Sequence, residues 1–200
     1  MPDVVSGVRK GQIDSGATIH ESANIWDLAH VRESAEIGAE TIVGRGAYIG
    51  AGVRIGSRCK IQNAAQIFEP AVLEDGVFVG PGAILTNDRT PRAINEDLTL
   101  KRATDWEPVG VHIERGASVG AGAICVAPVR VGAWAMIAAG AVVVADVRPF
   151  ELVAGVPARH IGWVGPAGLR LETVDEVTFR CPRTRQEFRT VPPGNLEPLT

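Results

Sequence analysis

The stretch IGAETIVGRGAYIGAGVRIGSRCKI, residues 37–61, repeats itself every six positions: Ile37, Val43, Ile49, Ile55 and Ile61 are aliphatic without a miss. Followed outward, the rule holds from Ile13 through Ile19, Ile25 and Val31, and on through Ile67, Leu73, Val79 and Leu85. A small or compact residue stands two places before the aliphatic one, as at Ala23, Ala29, Thr41, Cys59 and Ala65. A period of six is neither the 3.6 of an amphipathic helix nor the unbroken alternation of a long strand, so it calls for short strands separated by turns. Residues two apart in a strand face the same way, which sends the aliphatic and the small residue together toward the interior. Three hexads close a triangular coil of 18 residues. Residues 18 apart then lie above one another at roughly the 4.8 Å spacing of neighbouring strands. Glycines directly after aliphatic positions, among them Gly38, Gly44, Gly56, Gly80 and Gly120, are expected to supply the conformational freedom of a sharp bend.

The rhythm breaks after Leu85 and resumes as Ile113, Val119, Cys125, Val131, Ile137 and Val143. The interruption, 86–110, is a loop of a length that a compact domain seldom carries without a use. It holds Arg89, Arg92, Lys101, Arg102 and Trp106. The fold class expected is all-β, a parallel β-helix of hexapeptide repeats over 1–164 with this one long loop. A small β-hairpin appendage over 165–200 follows, where the rhythm is gone and residues alternate like two or three short strands.

Composition bounds the function. A formal net charge of −3 lacks the basic excess of non-specific nucleic-acid binding, while local arginines still suffice for an anionic small molecule. Three scattered cysteines, Cys59, Cys125 and Cys181, argue against a disulfide framework and for a reducing compartment, so a cytoplasmic location is expected. The first twelve residues contain no apolar leader core. The uncharged run 131–145, VGAWAMIAAGAVVVA, falls short of the roughly 18 to 20 residues needed to cross a bilayer and is explained by the repeat.

Stacking by 18 places Glu69 beneath Asn87, a carboxylate and an amide at one corner beside the arginine-bearing loop. This is a place to hold an amine. A second column holds Trp26, Gly44 and Gln62, and a third Asp27, Arg45 and Asn63. Trp26 beside a glycine leaves a ledge that either stacks a nucleotide base or packs on another subunit. The four histidines, His20, His30, His112 and His160, are scattered, and none lies in the Asn87 segment.

The hexads resemble those of the hexapeptide-repeat acyltransferases, which implies a left-handed coil and a homotrimer. The run CKIQNAAQIFEPAVLEDGVFVGPGAILTNDRTPR, 59–92, is similar to nucleotide-sugar N-acetyltransferases that acylate 3-amino sugars, with Gln62, Asn63, Glu69, Pro81, Thr86, Asn87, Pro91 and Arg92 matching. The stretch LVAGVPARHIGWV, 152–164, resembles the closing coil that contacts coenzyme A. The resemblance implies acetyl-CoA as cosubstrate, no metal, and a nucleotide-linked amino sugar as acceptor. Asn87 would then orient the amine and Glu69 keep it neutral. Trp26, Gln62, Asn63, Thr86, Arg89 and Arg92 would bind the substrate, and Gly140, Ala141, Val156, Pro157, Ala158 and Arg159 coenzyme A. Where that family often has Trp-His, this chain has Trp26-Asp27. Its tail is similar to a zinc ribbon that keeps only Cys181, and one thiolate cannot complete a tetrahedral site. Two competing functions are a non-catalytic β-helix scaffold and a zinc carbonic anhydrase, the latter lacking the close histidine pair it would need.

Overall fold

In the computed structural model, which describes residues 7–199, the chain winds as a parallel β-solenoid. Residues 1–6, on which part of the leader reading falls, lie outside the described residues. Three parallel faces run the length of the coil. Face one stacks Gln12–Ile13, His30–Val31, Tyr48–Ile49, Gln66–Ile67, Ile84–Leu85, Ile124–Cys125 and Val142–Val143. Face two runs from Thr18–Ile19 to Val129–Val131, and face three from Asn24–Ile25 to Glu151–Ala154, with Arg159–Trp163 added antiparallel at its end.

The register is the one the repeat dictates: Gln12 pairs with His30 and Asn24 with Ile42, 18 residues on. Across the interruption Val72 pairs with His112, 40 residues on, so the corner between faces one and two absorbs 22 additional residues without disturbing the stack. Every second strand residue points inward, and the column from Ile25 to Val143 is buried. Ile13, in the first rung of face one, is 37 % exposed, and among the described residues no rung of face one lies below it. The run 131–145 forms rungs of the solenoid, and no helix among the described residues is long and apolar enough to cross a membrane.

The glycines divide into two groups, which corrects the sequence reading. Gly38, Gly44, Gly56, Gly80 and Gly120 do not have positive φ. They are glycines because a Cβ would strike the main chain or side chain of the next turn. Left-handed conformation falls at the third residue after most of the aliphatics, at Gly46, Gly82 and Gly122 but also at Ser34, Ala64 and Trp134.

Cys59 and Cys125 occupy inward slots and are fully buried. Burial pushes both thiols up, Cys125 to about 12. Neither will react with a thiol reagent at pH 8 in the native protein, whereas unfolding will expose three thiols per chain; prompt native titration of two or more would contradict the inward placement.

The tail is larger than the hairpin expected: Glu172–Thr173, Thr178–Arg180, Glu187–Val191 and Asn195–Pro198 form a four-stranded antiparallel sheet. Trp163, Leu171, Cys181, Phe188 and Leu196 bury its core. A Cβ on Gly165 would meet Leu171 Cδ2 at 3.1 Å and Phe188 Cζ at 3.6 Å, so this glycine sits against the tail's apolar core. The tail is tied to the last turn by Glu151, whose side chain is 8 % exposed. It accepts hydrogen bonds from Arg148 Nη2 at 2.8 Å and His160 Nδ1 at 3.0 Å, while Arg148 Nη1 donates to the Gly194 carbonyl.

Burial alone would raise the Glu151 carboxyl, but the Arg148 and His160 bonds outweigh it and hold the carboxyl below the ordinary range. A depressed folded value contributes stability that is present above the unfolded value, about 4.3, and is lost as pH falls through the folded one. Melting temperature should therefore fall on acidification from pH 5 toward pH 3. Glu151→Gln should lower it at pH 7 by roughly 4–8 °C, from about 2 kcal/mol of lost charge-assisted bonding, and should flatten the acid limb. A variant melting curve as steep in pH as the wild type's would remove Glu151 from this role.

Candidate active site

Four polar residues stand two positions after a core aliphatic and invite comparison: Asn63, Glu69, Asp75 and Asn87. Asn63 Oδ1 turns back onto the turn below and accepts the Arg45 N–H at 3.0 Å, over Gly44. Asp75 does the same to Ser57 N–H at 2.7 Å, over Gly56. Both are clamps between turns, and both need a glycine 19 residues earlier because a Cβ there would occupy the clamp's oxygen. Glu69 also folds down, its carboxylate lying over Gly50. Its Oε2 is shielded from solvent and has no hydrogen-bond partner among the described residues.

Asn87 breaks the pattern. The residue 19 positions before it is Phe68, not glycine, so its amide cannot fold onto the turn below. Its side chain makes no hydrogen bond among the described residues, while its carbonyl accepts the Val109 N–H at 3.0 Å and closes the neck of the 22-residue insertion. Asn87 is half-buried and uncommitted at the one corner where the coil opens.

The stacked pair is therefore a pair in main-chain register only, with Glu69 directed toward the turn below and Asn87 belonging to the turn above. Thr86 is held structurally, its Oγ1 accepting the Ala127 N–H at 3.0 Å. Trp26, Gln62 and Asn63 lie at the corner between faces three and one, the opposite edge of face one from Asn87, so one chain does not gather all the expected substrate residues. Trp26 is 40 % exposed, with Lys10 Nζ 5.5 Å from its ring centroid. Arg89 lines a groove of about 520 Å³ beside Asn87, together with Lys101, Trp106 and Asp105. Arg92 lines a neighbouring one of about 590 Å³. Neither Arg89 nor Lys101 has an ion pair among the described residues. The insertion is internally braced: Asp105 Oδ2 accepts from Arg102 N–H and Asn95 Nδ2, at 2.8 and 3.1 Å.

Above Asn87 the same corner continues through Ala127 to Ala145, by the register Ile84 to Ile124 to Val142. There a cleft of about 210 Å³ is lined by Val144, Ala145, Asp146, Ala158, Arg159 and His160, among others. Val156 is 73 % exposed, and Pro157 and Arg159 are exposed beside it. Two expected cofactor residues fit less well. Ala141 is in the core, its N–H bonded to the Ala138 carbonyl and its own carbonyl to Ile124 N–H, and the Gly140 N–H is bonded to the Ala121 carbonyl. Neither N–H can serve a thioester oxygen. Among the described residues no group of three or more His, Cys, Asp and Glu is placed to hold a metal ion.

Sequence reasoning missed the polar cluster below the site. His30 Nε2 lies 3.0 Å from Asp14 Oδ2 and 3.2 Å from Gln12 Nε2. Arg32 pairs with Asp14 and Glu33 and donates to Tyr48 Oη at 3.1 Å. Bonds from Gln12 and His30 hold the Asp14 carboxyl below its ordinary value. The 18-residue period would have found the cluster, since Gln12, His30 and Tyr48 are one column.

No family model matches the chain. It is 38% identical over 91 residues to the serine acetyltransferase of Escherichia coli strain K12, an alignment covering 44% of this chain and 31% of that protein. It is 38% identical over 63 residues to the dTDP-3-amino-3,6-dideoxy-alpha-D-galactopyranose 3-N-acetyltransferase of Aneurinibacillus thermoaerophilus, covering 32% and 33%. The chain thus spans about a third of the length of these curated relatives. The acetyltransferase domain of PglB from Neisseria gonorrhoeae FA1090 superposes with a TM-score of 0.51 at 24% identity, over 76% of this chain and 57% of that one, a likeness of fold. The hexad pattern, the solenoid it builds and these alignments agree that the chain is similar to the hexapeptide-repeat acyltransferases, nucleotide-sugar N-acetyltransferases among them.

Proposed function

We propose that the protein transfers the acetyl group of acetyl-CoA to the amine, at C3, of a nucleotide-linked amino sugar, and that it works as a homotrimer in the cytoplasm. The observation that carries the reading is Asn87, an amide withheld from the turn clamp that its neighbours in the repeat form. In the reaction the amine nitrogen attacks the thioester carbonyl carbon, the C–S bond breaks, and the departing coenzyme A sulfur takes up, directly or through solvent, the proton that the amine gives up. A neutral amine is already a nucleophile and a thiolate a good leaving group, so positioning supplies much of the rate enhancement. Asn87 Oδ1 accepts a hydrogen bond from the amine N–H and aims its lone pair. Glu69, rotated off Gly50, offers its unpartnered oxygen to the same amine. Val156, Pro157, Ala158 and Arg159 hold coenzyme A in the cleft above, with its arm descending the corner past Ala127. Arg89 and Arg92 meet phosphate or a sugar carboxylate, and Trp26 and Gln62 reach the site from a neighbouring subunit's opposite edge.

The serine acetyltransferase relatives raise acyl transfer to a hydroxyl as the rival chemistry. A hydroxyl needs a base beside it. The histidine–carboxylate contacts among the described residues, His30–Asp14, His112–Glu74 and His160–Glu151, all lie outside the Asn87 segment, which holds no histidine, and this is the ground for preferring the amine. The deciding experiment incubates the protein with acetyl-CoA and a panel of UDP- and dTDP-linked amino sugars and serine, following thiol release and product mass. Acetylated sugar amine is expected; O-acetylserine alone, or no thiol release with any acceptor, overturns the proposal. Glu69→Gln should lower kcat. An unchanged kcat with a lower melting temperature would assign Glu69 to the clamps instead.

A further inference from the structure

From the ring ladder below Asn87 we infer that the nucleoside end of the substrate binds on the N-terminal half of face one, against His30, Tyr48 and Phe68, with Gln12, Asp14 and Arg32 reading the edge of the base. The inference rests on the proposed acceptor and deepens it, and none of these six residues is required for acyl transfer itself.

The outward column of face one changes character along the coil. Gln12, His30, Tyr48 and Gln66 stand below the insertion corner, and Ile84, Ile124 and Val142 at and above it. If the thioester enters from the cleft near Ala158, a nucleotide-linked sugar meeting it at Asn87 must extend the other way. Three turns down is about 14 Å. An extended nucleoside diphosphate sugar spans that distance from its sugar amine to its base.

What lies there suits a planar heterocycle. The Tyr48 and Phe68 ring centroids are 5.4 Å apart and those of His30 and Tyr48 5.9 Å, a half-exposed aromatic ladder on which a base can stack. Beside it are donors on Gln12 and Arg32, acceptors on Asp14, and a histidine ring able to do either. The charge argues against a phosphate at this spot, because Arg32 already faces two carboxylates, Asp14 and Glu33. In the Tyr48 turn the corner carries the small residues Ala51 and Gly52, and Gly52 has open space where a side chain would stand, which leaves room for a diphosphate beside the ladder.

The chain contains a single tyrosine, so growth on 3-fluorotyrosine places one fluorine resonance at the inferred site in the otherwise unaltered protein. Titration with UDP and with dTDP should shift this resonance, saturating at the concentration that calorimetry gives for binding, whereas coenzyme A should not move it. Tyr48→Leu should weaken nucleotide binding roughly 5- to 150-fold, the range of losing one base–aromatic stack, and leave coenzyme A affinity unchanged. Tyr48→Phe, which keeps the ring, should bind nearly as the wild type does. The inference is overturned if neither nucleotide binds, if one binds without moving the resonance, or if coenzyme A moves it and the nucleotides do not. It is overturned equally if Tyr48→Leu binds normally. Failure of the acyl-transfer reading looks different: nucleotide binding at Tyr48 persists while no amino sugar is acetylated.

Discussion

Asn87→Ala will lower kcat for the accepted amino sugar by roughly 10- to 1000-fold, the scale of losing one or two hydrogen bonds made in the transition state. The same variant will leave the melting temperature within about 2 °C of wild type, as for a surface change that breaks no packing. The split follows from geometry: the Asn87 side chain makes no hydrogen bond among the described residues, and its main-chain carbonyl, which alanine keeps, closes the insertion at Val109. Asn63→Ala is the matched control, since it has the same residue type at the same position of the repeat. Its amide clamps Arg45 N–H, so its loss should cost about 1 kcal/mol and a few degrees of melting temperature with little effect on kcat. Steady-state thiol release and scanning calorimetry on both variants decide the matter. Wild-type turnover in Asn87→Ala would remove the amide from catalysis and move the search to His30 and Asp14.

That contrast also marks where the sequence could be read and where it could not. The hexads from Ile13 to Leu85 make the solenoid legible because a period of six calls for short strands separated by turns, and the 18-residue coil predicts rungs such as Gln66 on Tyr48. The same arithmetic also separates Trp26 and Gln62 from Asn87, two different corners of the triangle; likeness to a family drew them together where the period holds them apart. Asn63 and Asn87 look alike in a linear reading. What distinguishes them is the residue 19 places back, Gly44 or Phe68, a signal that means nothing until the clamp is seen. The direction of the Glu69 side chain follows from Gly50 in the same way. The tail was least legible, since Trp163, Leu171, Cys181, Phe188 and Leu196 assemble a core with no period to announce it. Their contacts cross loops of unequal length, and alternation alone says neither how many strands pair nor in what order.

Gly120→Ala should be far more damaging than Gly122→Ala, although the two glycines are neighbours but one in the same corner. A Cβ on Gly120 would land 2.7 Å from Ala138 C and Ile137 O, and nearer still to Ala139 N. These are main-chain atoms of the next turn and cannot rotate away. Relief requires lifting that turn, which strains the bonds from Gly120 N–H to the Ile137 carbonyl and from Gly140 N–H to the Ala121 carbonyl, each 2.8 Å. Overpacking against a rigid neighbour puts the cost at about 3 kcal/mol, or roughly 6–12 °C in melting temperature. Gly122, at φ +63, meets nothing within 4 Å of its added Cβ. Ser34, Ala64 and Trp134 adopt that left-handed conformation at the equivalent position with side chains in place. Its substitution therefore costs only the conformational preference, about 1 kcal/mol and a few degrees. Calorimetry on the two variants tests the packing account directly: if Gly122→Ala melts as low as Gly120→Ala, or lower, the bends are limited by backbone conformation and the turns of the solenoid are not in the close contact that their glycines imply.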